Sequence, residues 1–477
     1  MRALEAGGTD SHTCPTNGGG QPYGGPNSSR KGYTMHCLSA LHICAYDVRG
    51  RLTATGQLRP SRESGLVTRT HQLLAGLAQH TPGVRVALTK TGATTPGGVY
   101  GLQTPEGLAV TVREIATALP KLLYQGGHKN EHLVKRFYED TIDDPGNQVW
   151  SLLATQYACA IGAAGIPHVL AQSINPLVSL LKAHDLGLLG KVHLTGVIND
   201  SGPDFTRRFD YLARQITGGA QVTVIAVSES VRQELCAAGV PEHAVRKVLN
   251  GMDIDAFTTR LRHAEAAAVW ERVRSRNKVP QGLRVMLVCA RRVAWKGHQD
   301  VIHAARILAE RGRLEGTCVV FNGAGMLDSR APGYQQELQS LIADLDLDGK
   351  VFLLDELTPE EVMSCYVGAH VAVHPSRKPE PFGYANLEAM LAGVPVIATA
   401  HGGPLEYIEH GVSGLLVPPH DPDQIAVALE ALLGDDALHA RMGRAGRVSA
   451  ERFSLDAMFD GYHDAITTSE ALHGGGR

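Results

Sequence analysis

The 477-residue sequence has no stretch of about 18 uninterrupted apolar residues, the length a membrane-crossing helix requires. Its N-terminus lacks the basic region, apolar run and small-residue cleavage site of a secretory signal. The expectation is a soluble, unexported, cytoplasmic chain with no transmembrane segment. Runs of Lys and Arg are missing too: 45 cationic side chains face 48 anionic ones, for a formal net charge of −3. Such a surface is not built to neutralise many phosphates, so nucleic acid is not an expected partner. No two of the 8 cysteines stand in C-x-x-C spacing, which fits reduced thiols packed as small hydrophobes. The 22 histidines include no H-E-x-x-H or other metal-ligand spacing.

What the sequence does have is length for two or three domains at roughly 150 residues each. Residues Gly7 to Gly32 are rich in Gly, Pro and Ser and nearly devoid of apolar side chains, so residues 1–35 read as a disordered leader. The end, Gly474 to Arg477, reads the same way. From Leu41 onward short apolar runs alternate with helical patterns, the signature of β-α units around a parallel sheet. A first series places strands at His42–Tyr46, Val84–Leu88, His168–Gln172, Val192–Val197 and Val222–Val227. Ser230 and Gln233 supply a capping box after the last of these, and the series closes at the turn Asn250-Gly251-Met252-Asp253. The polar, Arg-rich helical stretch Thr258 to Arg276 would link the lobes.

A second series places strands at Arg284–Cys289, Thr317–Phe321, Val351–Leu354, Val371–His374, Val394–Ala398 and Leu415–Val417. Helix starts are marked by Thr358-Pro359 with Glu361 and by Asp421-Pro422 with Gln424. Six such units make one doubly wound domain. The expected organisation is a first domain over 36–257, a linker over 258–281, a second domain over 282–452 and a closing helix over 453–472 that crosses back to the first domain. Between Thr91 and Asn147 glycine, proline and charge interrupt two helical patterns, too long an interval for a simple connection.

In an open parallel sheet, ligands bind beyond the carboxyl ends of the strands. The densest candidate there is Glu380-Pro381-Phe382-Gly383-Tyr384-Ala385-Asn386-Leu387-Glu388, just after His374-Pro375-Ser376. A helix starting near Tyr384 would aim its free amides at that crevice, which suits a phosphate. Two carboxylates could accept hydrogen bonds from different hydroxyls of one ligand; read singly, Glu380 is a loop carboxylate and Glu388 an exposed helix residue. Arg291-Arg292-Val293-Ala294-Trp295-Lys296-Gly297 follows the first strand of the second series, and its cations could bracket a diphosphate.

These strings carry a resemblance. His374 to Pro418, with the glutamates eight apart around Phe382-Gly383, Gly393-Val394-Pro395, Gly402-Gly403 and Gly411 to Pro418, resembles the retaining glycosyltransferases of family 4. Arg291 five residues before Lys296-Gly297, Ser228-Glu229, and Asn250 to Phe257 fit the same family. The resemblance implies a GT-B architecture: an α/β protein of two Rossmann-like, doubly wound domains facing a cleft. It implies a nucleotide-diphosphate sugar, UDP-linked first and GDP-linked second, held by the second domain. Arg291 and Lys296 would lie on its phosphates with the amides after Gly383, Glu388 on the ribose and Glu380 on the sugar hydroxyls. Ser376, Phe382, Tyr384, Asn386, Leu387 and Gly323 would complete the donor site. Gly65, in Glu63-Ser64-Gly65-Leu66, is similar to the family's first-lobe glycine loop, here without its paired glycine. No metal or other cofactor is needed in this family, because the cations neutralise the leaving group.

The first lobe departs from the pattern. Where relatives carry His-x-His, this chain reads Pro167-His168-Val169-Leu170-Ala171-Gln172-Ser173, so Gln172 takes the histidine's place and cannot act as acid or base near neutral pH. Asn199 and Asp200 fall where another cleft residue is expected, with Asp200 the candidate for handling the acceptor, and His401 borders the cleft from the second lobe. Asp344-Leu345-Asp346-Leu347-Asp348-Gly349 imitates a calcium loop, but has leucines between its ligands and a strand after it. The leading expectation is a transferase acting on a small polar acceptor, in keeping with a GC-rich bacterial composition and specialised metabolism; a homodimer is allowed for. The alternatives are a lipid- or polysaccharide-directed transferase and a GT-B protein that binds a sugar nucleotide without transferring. The only basic helix suited to a membrane, around Lys121 to Lys135, is interrupted by Gly126-Gly127 and diluted by Glu131.

Overall fold

The structure is a computed structural model and describes residues 38–45, 50–52, 58–60, 65–81, 83–93, 98–104, 107–116, 124–125, 128–129, 139–144, 148–262, 264–322 and 332–474. The expected leader, residues 323–331 with Gly323, and most of 121–135 lie outside the described residues.

The first lobe carries strands β1 (Ala40–Ala45), β2 (Gly50–Leu52), β3 (Leu58–Pro60), β4 (Arg85–Ala93), β5 (Val99–Gln103), β6 (Ala109–Ala116), β7 (Tyr124–Gln125), β8 (His128–Lys129), β9 (His168–Ala171), β10 (His193–Ile198), β11 (Val222–Ala226) and β12 (Val245–Lys247). Eight of them form one sheet in the order β12-β11-β10-β9-β1-β4-β6-β5, parallel except for the edge pair β5 and β6. β2 with β3 and β7 with β8 are two small antiparallel pairs. The second lobe holds β13 (Arg284–Cys289), β14 (Thr317–Asn322), β15 (Val351–Leu353), β16 (Ala369–His374), β17 (Val396–Thr399) and β18 (Leu415–Val417). Their order is β15-β14-β13-β16-β17-β18, parallel throughout.

Both sheets reverse direction at an identifiable point. In the second lobe the chain winds outward one way through β14 and β15 and the other way through β16 to β18, so the crevice opens between β13 and β16. In the first lobe the reversal lies between β1 and β9. Strands such as β14, buried along its whole length, read as continuous apolar runs because helices cover both faces of the sheet.

Three elements differ from the sequence expectation. The 91–147 interval supplies β5 and β6 instead of helices; in β6 Val110 and Val112 are buried while Ala109 and Thr111 are exposed, an alternation that periodicity of 3.6 conceals. β12 is a further edge strand. The cap after β11 is Ser228, whose hydroxyl accepts from the Val231 amide, two residues earlier than the expected box at Ser230. The Arg-rich stretch is helical as expected, in helices Ile254–Arg262 and Ala264–Arg276, and Trp270 of the second fills the notch left by Gly368. The N-caps at Thr358 and Asp421 form as expected, the first as a full capping box with Glu361.

The last helix, Leu455–Gly474, packs on β10, β11 and helix Gly65–His80 of the first lobe. Phe459 stacks on His80 at 5.3 Å and occupies the space at Gly76, where an added Cβ would lie 1.7 Å from its ring. Phe459→Ala empties a buried aromatic socket and should cost about 3–5 kcal/mol of stability. The check is the denaturant midpoint, which should fall well below that of the parent chain.

Candidate active site

The crevice of the second lobe is built from the loops that follow β13 and β16. After β13 the chain makes a single 3-10 turn, Ala294–Lys296, and then enters helix His298–Glu310 through Gly297 at φ 73°. A Cβ at Gly297 would stand 2.0 Å from the Pro375 carbonyl oxygen, so only glycine lets the two loops touch. Arg377 locks the contact: its guanidinium donates to both oxygens of Asp300 at 2.9 and 2.6 Å, and its amide donates to the Trp295 carbonyl at 2.7 Å.

This clamp brings Lys296 against Glu380, and the two form a half-buried ion pair. Ser376 Oγ donates to the same Glu380 oxygen at 3.2 Å, and Lys296 Nζ lies 4.1 Å from the Trp295 ring centroid. Behind Glu380 runs the loop after β17, where Gly403 N donates to the Glu380 carbonyl at 2.7 Å. His401 Nε2 donates to the Ser376 carbonyl at 2.7 Å, and burial holds its imidazole below the ordinary histidine range. Arg291, in the same loop as Lys296, is exposed and makes no side-chain hydrogen bond or ion pair with a described residue. Gly383, at φ 90°, caps helix Tyr384–Leu391 and turns its first amides toward the crevice.

Three residues expected at the donor side chain by side chain are instead its foundation. Phe382 is buried among Tyr384, Tyr407 and Phe453. Asn386 is buried and donates to Tyr407 Oη at 2.9 Å, while that hydroxyl donates to the Phe382 carbonyl at 2.8 Å. Leu387 is wholly buried in the core. The reason is helical geometry: one residue advances about 100° around the axis, so Glu388 and Leu387 cannot share a face. Tyr384 stays partly exposed and its hydroxyl donates to the Gly251 carbonyl at 3.4 Å.

Across the crevice, Gln172 is fully buried directly after β9, and its amide donates to the Cys44 carbonyl at 2.9 Å. Asn199 Nδ2 donates to the Gln172 carbonyl at 3.4 Å. Asp200 accepts from the Ile174 amide at 3.2 Å, capping a helix whose own cap residue, Ser173, makes no such bond. Ser201 Oγ then reaches the Pro379 carbonyl at 3.2 Å, which sets the Asp200 loop against the residue before Glu380. Gly65 opens its helix as expected.

Two functional neighbours escaped the sequence reading. Arg292 is buried and donates to the carbonyls of Phe321 and Leu354 and to Gln335 Oε1, tying the ends of β13, β14 and β15; burial lowers its guanidinium to about 10. Side chains alternate in extended chain, so of two adjacent arginines only one could face the crevice, a signal available in the sequence. Tyr366 donates to Glu388 at 2.7 Å, and no local pattern announces it.

Residues 270–449 match the family described as glycosyl transferases group 1. The match covers most of the second lobe. A D-inositol 3-phosphate glycosyltransferase of Corynebacterium jeikeium is 32% identical over 251 residues, 52% of this chain and 58% of the relative. The chain thus spans less than two thirds of the curated relatives it matches. Anabaena HepE, solved with UDP and glucose, superposes with TM-score 0.63 at 17% identity over 90% of this chain and 99% of its own. An α,α-trehalose 6-phosphate synthase from Burkholderia multivorans gives 0.69 at 12% identity over 91% and 100%. The fold is the two-lobed GT-B arrangement of parallel α/β domains.

Within the second lobe, burial raises the Glu388 carboxyl from 4.5 to about 7, with the Tyr366 hydrogen bond opposing the shift. A raised carboxyl binds its proton more tightly in the folded than in the unfolded chain. Its stabilising protonation is therefore lost as pH climbs from about 4.5 to about 7, and above that range the buried charge is a cost. Glu388→Gln should gain stability relative to the parent as pH rises from 5 to 8. Thermal melts of both proteins across that range test it; a constant difference would show that the carboxyl is not shifted.

Proposed function

We propose that the chain is a metal-independent, retaining glycosyltransferase that moves a sugar from a UDP-linked donor to a small polar acceptor. The observation that carries this reading is the Lys296 and Glu380 pair at the second lobe's switch point, next to exposed Arg291 and the amide end that Gly383 opens. Departure of a diphosphate develops negative charge there, and preorganised cations and amides that meet such charge commonly supply the largest catalytic contribution. Lys296 and Arg291 take the phosphates, so the scheme requires no divalent ion. Glu380 holds the sugar hydroxyls and Glu388 the ribose.

Gln172 stands where a base would be sought and cannot accept the acceptor's proton. The proton then passes to the departing phosphate oxygen while the acceptor oxygen bonds to the anomeric carbon on the face the diphosphate leaves. Retention follows from that single-sided exchange. A small polar acceptor is favoured by the relatives named for D-inositol 3-phosphate, and a UDP donor by the UDP-bound neighbour.

The test is a panel of UDP-, GDP- and ADP-sugars with polyols and polyol phosphates as acceptors, scored by thermal shift and nucleotide release. UDP-sugar binding with acceptor-dependent release is expected, and binding without release for every acceptor would remove the enzyme reading. Glu380→Ala and Lys296→Ala should each cut turnover by about 100-fold or more while circular dichroism stays that of the parent.

A further inference from the structure

Glu406 belongs to the second lobe, at the end of the 3-10 turn Gly403–Glu406, yet its side chain is spent on the first. One carboxylate oxygen accepts from the backbone amide of Glu229, the first residue of helix Glu229–Ala237. The other lies 3.4 Å from Lys247 Nζ at the end of β12. The side chain is only 11% exposed. A carboxylate on the amide end of a helix is favoured by the helix dipole and satisfies a donor that has no partner within the helix. The Glu229 carboxylate is neutralised in turn by Arg232 at 2.7 Å and shares Lys247, at 3.7 Å, with Glu406.

The same turn grips the Glu380 loop from behind. Gly402 pairs with Glu380 as an isolated parallel bridge, and Gly403 N holds the Glu380 carbonyl at 2.7 Å. Added Cβ atoms at Gly402 and Gly403 would lie 2.4 and 2.3 Å from the Glu380 and Phe382 carbonyl oxygens, so the two segments have no slack between them. Tyr407, directly after Glu406, takes hold of Phe382 and Gly383 through its hydroxyl at 2.8 and 3.2 Å. A continuous bonded path therefore runs from a first-lobe helix end through Glu406 and the 402–407 turn to Glu380 and on to Lys296.

We infer that Glu406 is a positioning residue: it latches the second-lobe turn to the first lobe and thereby fixes the Glu380 loop in the register needed for transfer. The inference rests on the reading of Glu380 as the carboxylate that holds the donor sugar. When Glu406 releases the Glu229 amide, the turn and the Glu380 carbonyl it carries are free to shift, while the exposed phosphate-facing Arg291 is untouched. Because Lys296 shares the phosphates with Arg291, which the latch does not reach, the latch bears more on the chemical step than on nucleotide affinity.

The experiment compares the parent with Glu406→Ala and Glu406→Gln in the full chain. Glutamine keeps an oxygen for the Glu229 amide and loses the charge opposite Lys247. Amide hydrogen exchange at Glu229 to Val231, UDP affinity, and kcat with the best donor and acceptor are read in parallel. The alanine variant should show faster exchange at those amides, kcat lowered about tenfold or more and UDP affinity lowered by a smaller factor, with glutamine between the parent and alanine. Unchanged exchange in the alanine variant overturns the latch, and faster exchange with undiminished kcat overturns the positioning role. A parent chain that turns over no donor overturns the transferase reading itself, which the exchange result does not touch.

Discussion

The pairing of Lys296 with Glu380 joins two loops 84 residues apart, and the architecture around the crevice is arranged to make it. Neither charge is free to seek water, so loss of one leaves the other uncompensated in a half-dry site. The contact depends on Gly297 touching Pro375, on the Arg377 and Asp300 clamp, and on a sheet order that sets β13 beside β16. Each of these is a backbone or salt-bridge constraint with no direct part in chemistry. Together they convert a sequence-distant pair into a neighbouring one.

Much of this was legible because parallel sheets leave strong marks. β13 and β18 fall where the apolar runs place them, and the caps at Thr358 and Asp421 stand on the residues whose side chains can bond an amide three positions on. The loops that follow β13 and β16 were identifiable as the binding edge, since topology alone sends ligands there. Which side chains in those loops face outward was less legible. Phe382, Asn386 and Leu387 look like members of one motif, but their burial is decided by Tyr407 and Phe453, which approach from distant segments.

The strands β5 and β12 at the sheet's two edges, and β6 beside β5, were missed for a related reason. Near an edge the cover is partial, so the pattern is a short alternation that in β6 charged residues such as Arg113 and Glu114 interrupt. Tyr366 on Glu388 and Glu406 on the Glu229 amide were invisible in principle, because tertiary contacts between remote segments have no local signature. The strongest electrostatic features of the crevice are of this kind.

The return of the last helix to the first lobe has a mechanical meaning. The chain passes between lobes twice, and the two crossings lie side by side: Met252 N donates to the Phe453 carbonyl at 2.9 Å and Leu455 N to the Met252 carbonyl at 3.0 Å. Two hydrogen-bonded crossings at one place make a strap, so neither crossing can be displaced without breaking backbone hydrogen bonds to the other.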